Sequence, residues 1–194
     1  MNQINKLNEM HNEMKTIIKN QNKIMDKLNI ERWKPIDGYN NYNVSTFGRV
    51  RNNKTRRILK PVIDGGGYYY VVLCKDGNIK KYKIHRLVAL AFINNPENKN
   101  CVDHINNDIK NNNLINLRWA TCRENQQNRS MRSDNTSGTK GISWHKQNKK
   151  WQVRIAIDGK RKHIGYFTDI DDTKKARQNV AKKYYGEYVN ACEL

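Results

Sequence analysis

The sequence lacks the features that would place the protein in a membrane, outside the cell or around a structural zinc ion. No window of its 194 residues approaches the roughly 18 to 20 apolar residues of a membrane span. The first ten residues lack the apolar core of a signal peptide, so we expect an intracellular protein that is not secreted. The four cysteines are scattered without a C-x-x-C pair, which argues against a zinc ribbon and against a disulfide framework.

Acidic residues are scarce relative to basic ones. Lys and Arg number 37 and Asp and Glu number 18, which gives a formal net charge of +19. This excess goes beyond what solubility requires and indicates a polyanionic partner, most often nucleic acid. Only 37% of the residues are hydrophobic, which favours several small modules over one large core.

Residues 1–30 contain no glycine or proline and predict a helix. The apolar residues at heptad spacing are Ile4, Leu7, Met14, Ile18, Met25 and Leu28, with His11 and Gln21 as polar breaks. One interpretation is a short coiled coil through which residues 4–28 form a homodimer. The other is a helix that packs on its own chain or frays, because a helix of this length is marginally stable alone.

The remaining chain changes to short β-prone runs separated by turn signals. A hairpin is predicted over residues 68–84, with its turn at Asp76 and Gly77, followed by a short buried helix over residues 85–93. Residues 102–130 then predict a strand, an Asn-rich loop, a second strand and a polar helix. After a polar linker at residues 131–138, the β-prone runs are 141–145, 151–157 and 162–167, and a helix follows over about 172–185.

Asp103 and His104 are adjacent on a predicted strand, and Asn125 lies on the helix that follows the hairpin. Histidine suits a general base that activates water near neutral pH, and Asp and Asn oxygens suit Mg²⁺. Mg²⁺ needs few protein ligands because it keeps waters and substrate oxygens. Adjacent strand residues face opposite sides, so a bend or strand end must let both side chains act.

Residues 102–128, VDHINNDIKNNNLINLRWATCRENQQN, resemble the HNH motif of phage-type homing endonucleases, which have a ββα-metal (His-Me finger) site. The resemblance implies that His104 is the general base and that Asn116 braces the loop. It also implies that Asp103 and Asn125 hold Mg²⁺ or another divalent cation such as Mn²⁺, with no zinc expected. The last motif position is Asn125 rather than His, as in the phage-type subset.

Other residues compete for these roles. Asn128 is an alternative to Asn125, and Asn112 or Asn113 is an alternative to Asn116. His85 precedes the motif in the same family pattern, and its apolar neighbours favour packing or hydrogen bonding over catalysis.

The run WKPIDGYNNYNVSTFGRVRNNKTRRILKP, within residues 31–93, resembles the nuclease-associated modular domain that precedes such HNH cores. The resemblance implies a β-rich unit that contacts DNA. The candidates for phosphate contacts are Arg49, Arg51, Lys54, Arg56 and Arg57. A solvated basic loop is the alternative interpretation.

Residues 139–194 resemble the ethylene-response-factor (Apetala-type) DNA-binding domain, from Gly141-Ile142 through Ile164-Gly165-Tyr166-Phe167 to the last helix. The resemblance implies a three-stranded sheet that lies in the major groove with alternate residues facing DNA. The candidate contacts are Trp144 or His145, Lys150, Trp151, Arg154, Arg161 and His163. Arg154 stands where plant members often carry an acidic residue, so base preference does not transfer, and one of the two tryptophans could equally pack on the helix.

The sequence therefore predicts an α+β protein built of modules. They are a helix at 1–30, a nuclease-associated domain at 31–93, an HNH core at 85–130, a linker at 131–138 and a DNA-binding domain at 139–194. The predicted function is hydrolysis of phosphodiester bonds in double-stranded DNA by a one-metal, homing-type HNH endonuclease of a phage or large DNA virus. It would act in the cytoplasm or nucleus of a host cell and not at a membrane. The alternatives are a catalytically inactive transcriptional regulator that binds DNA through the C-terminal sheet, and an RNA-binding protein.

Overall fold

The computed structural model describes residues 2–28 and 30–193, and their side chains at 5–18, 20–26, 28 and 30–193. The predicted contact at Ile4 and the ends of the predicted modules at residues 1 and 194 lie outside this description. The chain forms two compact units, one of residues 1–93 with 110–115 and one of residues 94–109 with 116–194. Within the described part of the chain, no helix is both long enough and apolar enough to cross a bilayer.

In its described residues, the first unit contains two helices and two small antiparallel sheets. Helix α1 spans Asn2–Lys27 and α2 spans Ile84–Phe92. One sheet has the strands β1 (Trp33–Ile36), β2 (Tyr39–Ser45) and β3 (Val50–Asn52), and the other has β4 (Val62–Ile63), β5 (Tyr69–Lys75) and β6 (Asn78–Lys83). The β5–β6 turn places Asp76 and Gly77 at φ 51° and 77°, a conformation that an Asp-Gly pair adopts readily, and the predicted hairpin is confirmed.

The core of the first unit lies between α2 and the two sheets. Its buried apolar residues include Val44, Val50, Val71, Leu73, Leu87 and Val88. Helix α2 forms over the predicted run because HRLVALAF is apolar on the faces that meet β1, β2, β5 and β6.

Helix α1 carries a wide exposed apolar stripe. Its exposed members are Leu7, Met10, Met14, Ile17, Ile18 and Ile24, and the exposed Leu28 follows directly after the helix. Met10, Ile17 and Ile24 are seven residues apart and widen the predicted seam on one side. Near the end of the helix, Arg32 ties the following strand back to it through Asp26 at 2.7 Å and the Asn22 carbonyl at 2.8 Å.

The described part of the second unit contains a two-stranded hairpin, a three-stranded sheet and two helices. The hairpin strands are β7 (Cys101–His104) and β8 (Leu117–Ala120), and α3 follows at Cys122–Gln127. The sheet has the order β11-β10-β9, with β9 at Ile142–His145, β10 at Lys150–Ile157 and β11 at Lys160–Phe167. Helix α4 spans Ile170–Tyr185, and 3-10 turns follow at Gly186–Tyr188 and Ala191–Glu193.

Helix α4 packs on one face of the three-stranded sheet. The cluster between them consists of Ile155, Ile157, Ala181, Tyr185 and Val189. Asp169 caps the helix by accepting from the N–H groups of Asp171 and Asp172 at 2.7 and 2.9 Å. These bonds hold the pKa of Asp169 below its usual range and fix where α4 begins.

The predicted helices and strands are present, with ends shifted by one to three residues in most cases. The compact units cut across the predicted modules, because the HNH hairpin and residues 139–193 belong to one unit. In the predicted linker, the Ser137 hydroxyl is buried and donates to the carbonyls of Thr139 and Ile142 at 2.8 and 3.0 Å. The five-part modular layout therefore stays a prediction.

Candidate active site

The candidate catalytic residues lie at the end of strand β7. In the β7–β8 register, Asp103 pairs with Arg118 and His104 pairs with Leu117. Directly paired residues share a face and neighbours along a strand face opposite sides, so Asp103 and His104 point to different sides. Both are buried, at 3% and 5% exposure, and β7 ends at His104, where the sequence required a strand end.

The Asp103 carboxylate is held by two donor side chains. Arg118 places Nε and Nη2 each 2.8 Å from Oδ2. Asn128 places Nδ2 3.0 Å from Oδ1 and 3.1 Å from Oδ2. Charge-assisted bonds at these distances are among the stronger protein hydrogen bonds, so the orientation of the carboxylate is fixed from inside the protein.

Asn128 presents an N–H group, not an oxygen, to the candidate site. Its Nδ2 also lies 3.0 Å from the carbonyl oxygen of His104 and 3.3 Å from that of Ile105. Its Oδ1 faces a donor, Nδ2 of Asn190, at 3.3 Å. Four acceptors lie around the nitrogen of the amide and a donor lies at its oxygen, which agrees with this orientation. Asn128 therefore supports Asp103 by donating a hydrogen bond, and its oxygen does not point to a metal ion bound by Asp103.

Asn125 lies on α3, three residues before Asn128, and is half-buried. Among the described residues its side chain makes no hydrogen bond, so its amide oxygen is available to a ligand. The spacing of three places both amides on neighbouring positions of the helix surface. This contrast favours Asn125 over Asn128 as the predicted metal ligand.

The first turn of α3 is fixed by a reciprocal cap. The hydroxyl of Thr121 accepts from the Glu124 N–H at 3.2 Å, and Glu124 Oε2 accepts from the Thr121 N–H at 2.6 Å. Lys99 Nζ donates to Glu124 Oε1 at 3.0 Å. Burial raises the pKa of Glu124, but the Thr121 N–H and the Lys99 ammonium outweigh it and hold that pKa below its usual range. The same bond to Glu124, with one to Tyr188, raises the pKa of Lys99.

Asn116 fixes the turn that follows His104. Its Oδ1 accepts from the Asn106 N–H at 3.0 Å, and its backbone oxygen accepts from the Ile105 N–H at 2.8 Å. The Asn107 N–H donates to the His104 carbonyl at 2.9 Å and closes the turn. Asn116 is thus positioned to brace the loop.

Asn112, Asn113 and His85 belong to the other compact unit. Asn112 packs closely against Gly48. A Cβ added to this glycine would lie 2.8 Å from the Cβ of Asn112. Asn113 donates to Asn111 Oδ1 at 3.0 Å. His85 is buried on α2 with its ring 5.1 Å from that of Tyr68, an arrangement typical of packing.

The predicted phosphate-contacting arginines differ in how far they are engaged within the protein. Arg49 pairs with Glu31. Burial raises the pKa of the Glu31 carboxyl, but hydrogen bonds with Arg49 and Ser45 outweigh burial and hold that pKa below its usual range. The guanidinium of Arg51 stacks over Trp33 at 4.2 Å. Arg56 and Arg57 are exposed and remain open to a polyanion.

The register of β10 separates the predicted DNA contacts of the C-terminal sheet. Lys150 and Arg154 alternate with the buried residues and are exposed on the face opposite α4. Arg154 pairs with His163 of β11. Arg161 pairs with Ala156, which lies on the same outer face as Arg154. Trp151 shares the face of Val153 and Ile155, so it lies on the helix side and contacts Trp144 edge to face at 5.1 Å.

A polar cluster on the outer face of this sheet is absent from the sequence-based predictions. Gln152 places Nε2 3.0 Å from Nδ1 of His163 and 3.3 Å from the hydroxyl of Tyr166. The Tyr166 ring also packs edge to face on His145 at 5.1 Å. The alternation of Lys150, Gln152 and Arg154 along β10 is the signal that would have identified this cluster.

The donor set suits a hard divalent cation. Within the described part of the chain, no three His, Cys, Asp or Glu side chains cluster in a way that could hold a metal ion. A cation at this site would rely on the Asp103 carboxylate, an amide oxygen such as that of Asn125, and water or phosphate oxygens, which Mg²⁺ tolerates well. A carboxylate has about four acceptor positions, so its internal donors leave capacity for a cation.

Two protein families match this chain. The NUMOD4 motif matches residues 31–74, and the HNH endonuclease family matches residues 82–127. An uncharacterized HNH endonuclease of Acanthamoeba polyphaga mimivirus, L245, is 34% identical over 161 residues, which are 80% of this chain and 48% of that protein. A second such mimivirus protein, L247, is 49% identical over 102 residues, which are 50% of this chain and 25% of that protein.

The DNA endonuclease I-HmuI of Bacillus phage SP01 is 38% identical over 129 residues, which are 66% of this chain and 74% of that protein. The chain belongs to the HNH endonuclease family. The resemblance in residues 102–128 is thus confirmed at the level of the family. A solved structure, described as DNA binding and cleavage by the HNH homing endonuclease I-HmuI, is 30% identical with a TM-score of 0.48 and covers 80% of this chain and 83% of its own.

The chain spans about half the length of L245 and a quarter of the length of L247. The matched families cover residues 31–74 and 82–127, and the resemblance of residues 139–194 to the ethylene-response-factor domain stays a prediction.

Proposed function

We propose that this chain is a homing-type endonuclease that hydrolyses phosphodiester bonds in double-stranded DNA. The observation that carries the proposal is the adjacent pair Asp103 and His104 at the end of β7, in a chain of the HNH family. The buried donors around Asp103 support it, because they fix a carboxylate next to the candidate base. The proposed substrate places the action in the cytoplasm or nucleus of a host cell.

In this proposal, His104 removes a proton from the attacking water, and Asn116 holds the turn that follows His104. Asp103 and Asn125 hold a divalent cation, for which we propose Mg²⁺ or Mn²⁺. When bound, the cation would neutralise charge on the phosphate and on the leaving oxygen. Burial of His104 limits bulk water around the base, which favours proton transfer within a fixed arrangement.

We propose that two basic surfaces hold the duplex. One is the loop with Arg56 and Arg57. Arg49 and Arg51 also contribute to it, although Arg49 pairs with Glu31 and Arg51 stacks over Trp33. The other is the outer face of the C-terminal sheet, with Lys150, Arg154, Arg161 and His163. Trp151 supports this face from the helix side. The alternation of the sheet favours an ethylene-response-factor-like mode, in which alternate residues contact DNA.

We also propose that residues 4–28 form a homodimer interface. The support is the exposed stripe of α1, in which large apolar residues recur at heptad spacing over most of the helix. Sedimentation of the full chain tests this, with Ile18→Asp and Ile24→Asp as the variants expected to yield monomers. A wild-type monomer at micromolar concentration would contradict it.

The decisive experiment for the proposed activity is cleavage of supercoiled plasmid carrying flanking DNA of the protein's own locus, with Mg²⁺ or Mn²⁺ and with EDTA as control. We expect cleavage by wild type, a loss of at least about 100-fold in His104→Ala, and wild-type activity in the control His11→Ala. His11 is exposed on α1. Cleavage that persists in His104→Ala would contradict the assignment of the base.

A second candidate function is a catalytically inactive DNA-binding regulator. The observation that favours it is the pairing of Asp103 with the guanidinium of Arg118, which already compensates the carboxylate charge. A gel shift without cleavage under all metals and targets would support this function over the nuclease.

A further inference from the structure

The segment that follows α4 is unusually buried for a polar stretch. Tyr188, Val189 and Asn190 are each less than a tenth exposed, and Glu193 is fully buried. The Glu193 carboxylate pairs with Lys140 at 2.8 Å and with Arg177 of α4. Residues 187–190, which we name the bracing segment, are therefore anchored on both sides along the chain, by α4 before them and by the ion pairs of Glu193 after them.

The bracing segment reaches Asp103 through Asn128. Asn190 Nδ2 donates to the backbone oxygen of Asn128 and lies 3.3 Å from its Oδ1. Because the Asn128 oxygen faces this donor, the Asn128 Nδ2 points in the opposite direction, towards Asp103. All three side chains are at most 3% exposed, so water does not replace a lost partner easily.

The same segment reaches Asp103 a second time through Arg118. The Nη1 of Arg118 donates to the backbone oxygen of Glu187, while Nε and Nη2 contact Asp103 Oδ2. The guanidinium lies 4.1 Å from the ring centre of Tyr188, whose hydroxyl donates to the Trp119 carbonyl at 2.9 Å. Both donors to the Asp103 carboxylate are thus backed by residues 187–190.

We propose that the bracing segment is a positioning element of the nuclease site, with Asn190 as the residue that sets the orientation of the Asn128 amide. This inference rests on the proposed function. Without Asn190, the Asn128 oxygen loses its donor, and only the acceptors around Nδ2 hold the amide in its orientation. A turned amide would bring Oδ1 next to the Asp103 carboxylate. Two oxygens without a shared proton repel, so the carboxylate would lose its fixed orientation.

Residues 187–190 thus support the nuclease site, although they are far in sequence from the HNH motif. Removal of a residue that orients a metal ligand lowers metal affinity or activity about 10- to 100-fold. We expect an effect of this size from Asn190→Ala, expressed in the cation requirement and in kcat. The KM for DNA should stay within about twofold, because none of the proposed DNA contacts is touched.

The test compares the full-length wild type with Asn190→Ala, and with Asn135→Ala as the matched control. Asn135 also donates through Nδ2 to a backbone carbonyl, that of Thr139 at 3.0 Å, in the same compact unit. The readouts are plasmid cleavage against Mn²⁺ concentration, Mn²⁺ binding by calorimetry without DNA, and the urea midpoint. Asn190→Ala should weaken Mn²⁺ binding and lower kcat about 10- to 100-fold, and Asn135→Ala should change only the urea midpoint.

A double-mutant cycle separates positioning from general damage. If Asn190 acts through Asn128, the variant Asn128→Ala with Asn190→Ala should bind Mn²⁺ no more weakly than Asn128→Ala alone. Should Asn190→Ala not fold, Tyr188→Leu tests the Arg118 arm with the same readouts and the same expected direction. Folded variants with the Mn²⁺ binding and kcat of Asn135→Ala would overturn the inference while wild-type cleavage upholds the nuclease. A wild type that neither cleaves nor binds Mn²⁺ would overturn the proposed function, and the inference with it.

Discussion

The ion pair between the buried Asp103 and the partly exposed Arg118 gives a sharp prediction for stability. Arg118→Met removes the guanidinium and leaves the carboxylate, 4% exposed, without its cationic partner. Breaking a buried ion pair by removing one partner costs about 3 to 5 kcal/mol, because the remaining charge stays desolvated. The contact with Tyr188 adds about 1 kcal/mol to this loss. Since small domains are stable by roughly 5 to 15 kcal/mol, this variant should approach the limit of folding.

The control for this prediction is Arg123→Met. Arg123 pairs with Asp158 at 2.9 Å, but both side chains are half or more exposed, so the pair is worth about 0 to 1 kcal/mol. Urea unfolding followed by tryptophan fluorescence measures both variants, and the buried Trp119 reports on the relevant unit. Adding Asp103→Leu to Arg118→Met should restore part of the stability, because no unpaired charge remains. If the two single variants differed by less than about 1 kcal/mol, the reasoning would be refuted.

Three further predictions concern the first turn of α3, the Cys101–Cys122 contact and the outer face of the C-terminal sheet. The lowered pKa of Glu124 means that its pairing with Lys99 stabilises the fold above the ordinary Glu pKa and is lost as pH falls through the lowered value. Glu124→Gln should therefore flatten the acid limb of a plot of stability against pH. The Sγ atoms of Cys101 and Cys122 lie 3.0 Å apart, so diamide, which accepts the two hydrogens, should link them rapidly. Arg154→Ala should reduce the slope of log affinity for DNA against log salt by about 0.9, the contribution of one phosphate contact.

Each of these has an outcome that would contradict it. If the acid limb is unchanged in Glu124→Gln, the ionised Glu124 of the reciprocal cap does not contribute to the free energy of unfolding. Diamide that links other thiols first, as seen by peptide mapping, would contradict the arrangement of β7 against α3. A salt slope unaffected by Arg154→Ala would mean that the outer face of the C-terminal sheet does not contact the backbone of DNA.

Local features of this protein could be predicted from sequence because local interactions produce them. The Asp76-Gly77 turn and the alternation along β10 indicate a hairpin and a strand from neighbouring residues alone. The apolar run of α2 indicates a helix, which its packing against β1, β2, β5 and β6 then stabilises. The roles of the Asp103-His104 pair are instead implied by the resemblance of residues 102–128 to the HNH motif.

The sequence does not show which face of the sheet each side chain of β10 occupies. Trp151 was grouped with Arg154 from the sequence, yet odd and even positions of β10 face opposite sides, and the packing of α4 decides which side is covered. Gln152 carries no charge that would mark it in the sequence as a DNA contact, yet it joins His163 and Tyr166 on the outer face.

By itself, the sequence determined the family, the local elements and the residues at the end of β7. Only the tertiary structure decided what holds Asp103. Arg118 lies 15 residues from Asp103, Asn128 lies 25 residues from it, and Asn190 lies 62 residues from Asn128. A hydrogen bond over such separations leaves no periodic trace in the sequence, because it forms only after packing has brought the two elements together. The carboxylate is encoded locally, and its orientation is a property of the folded unit.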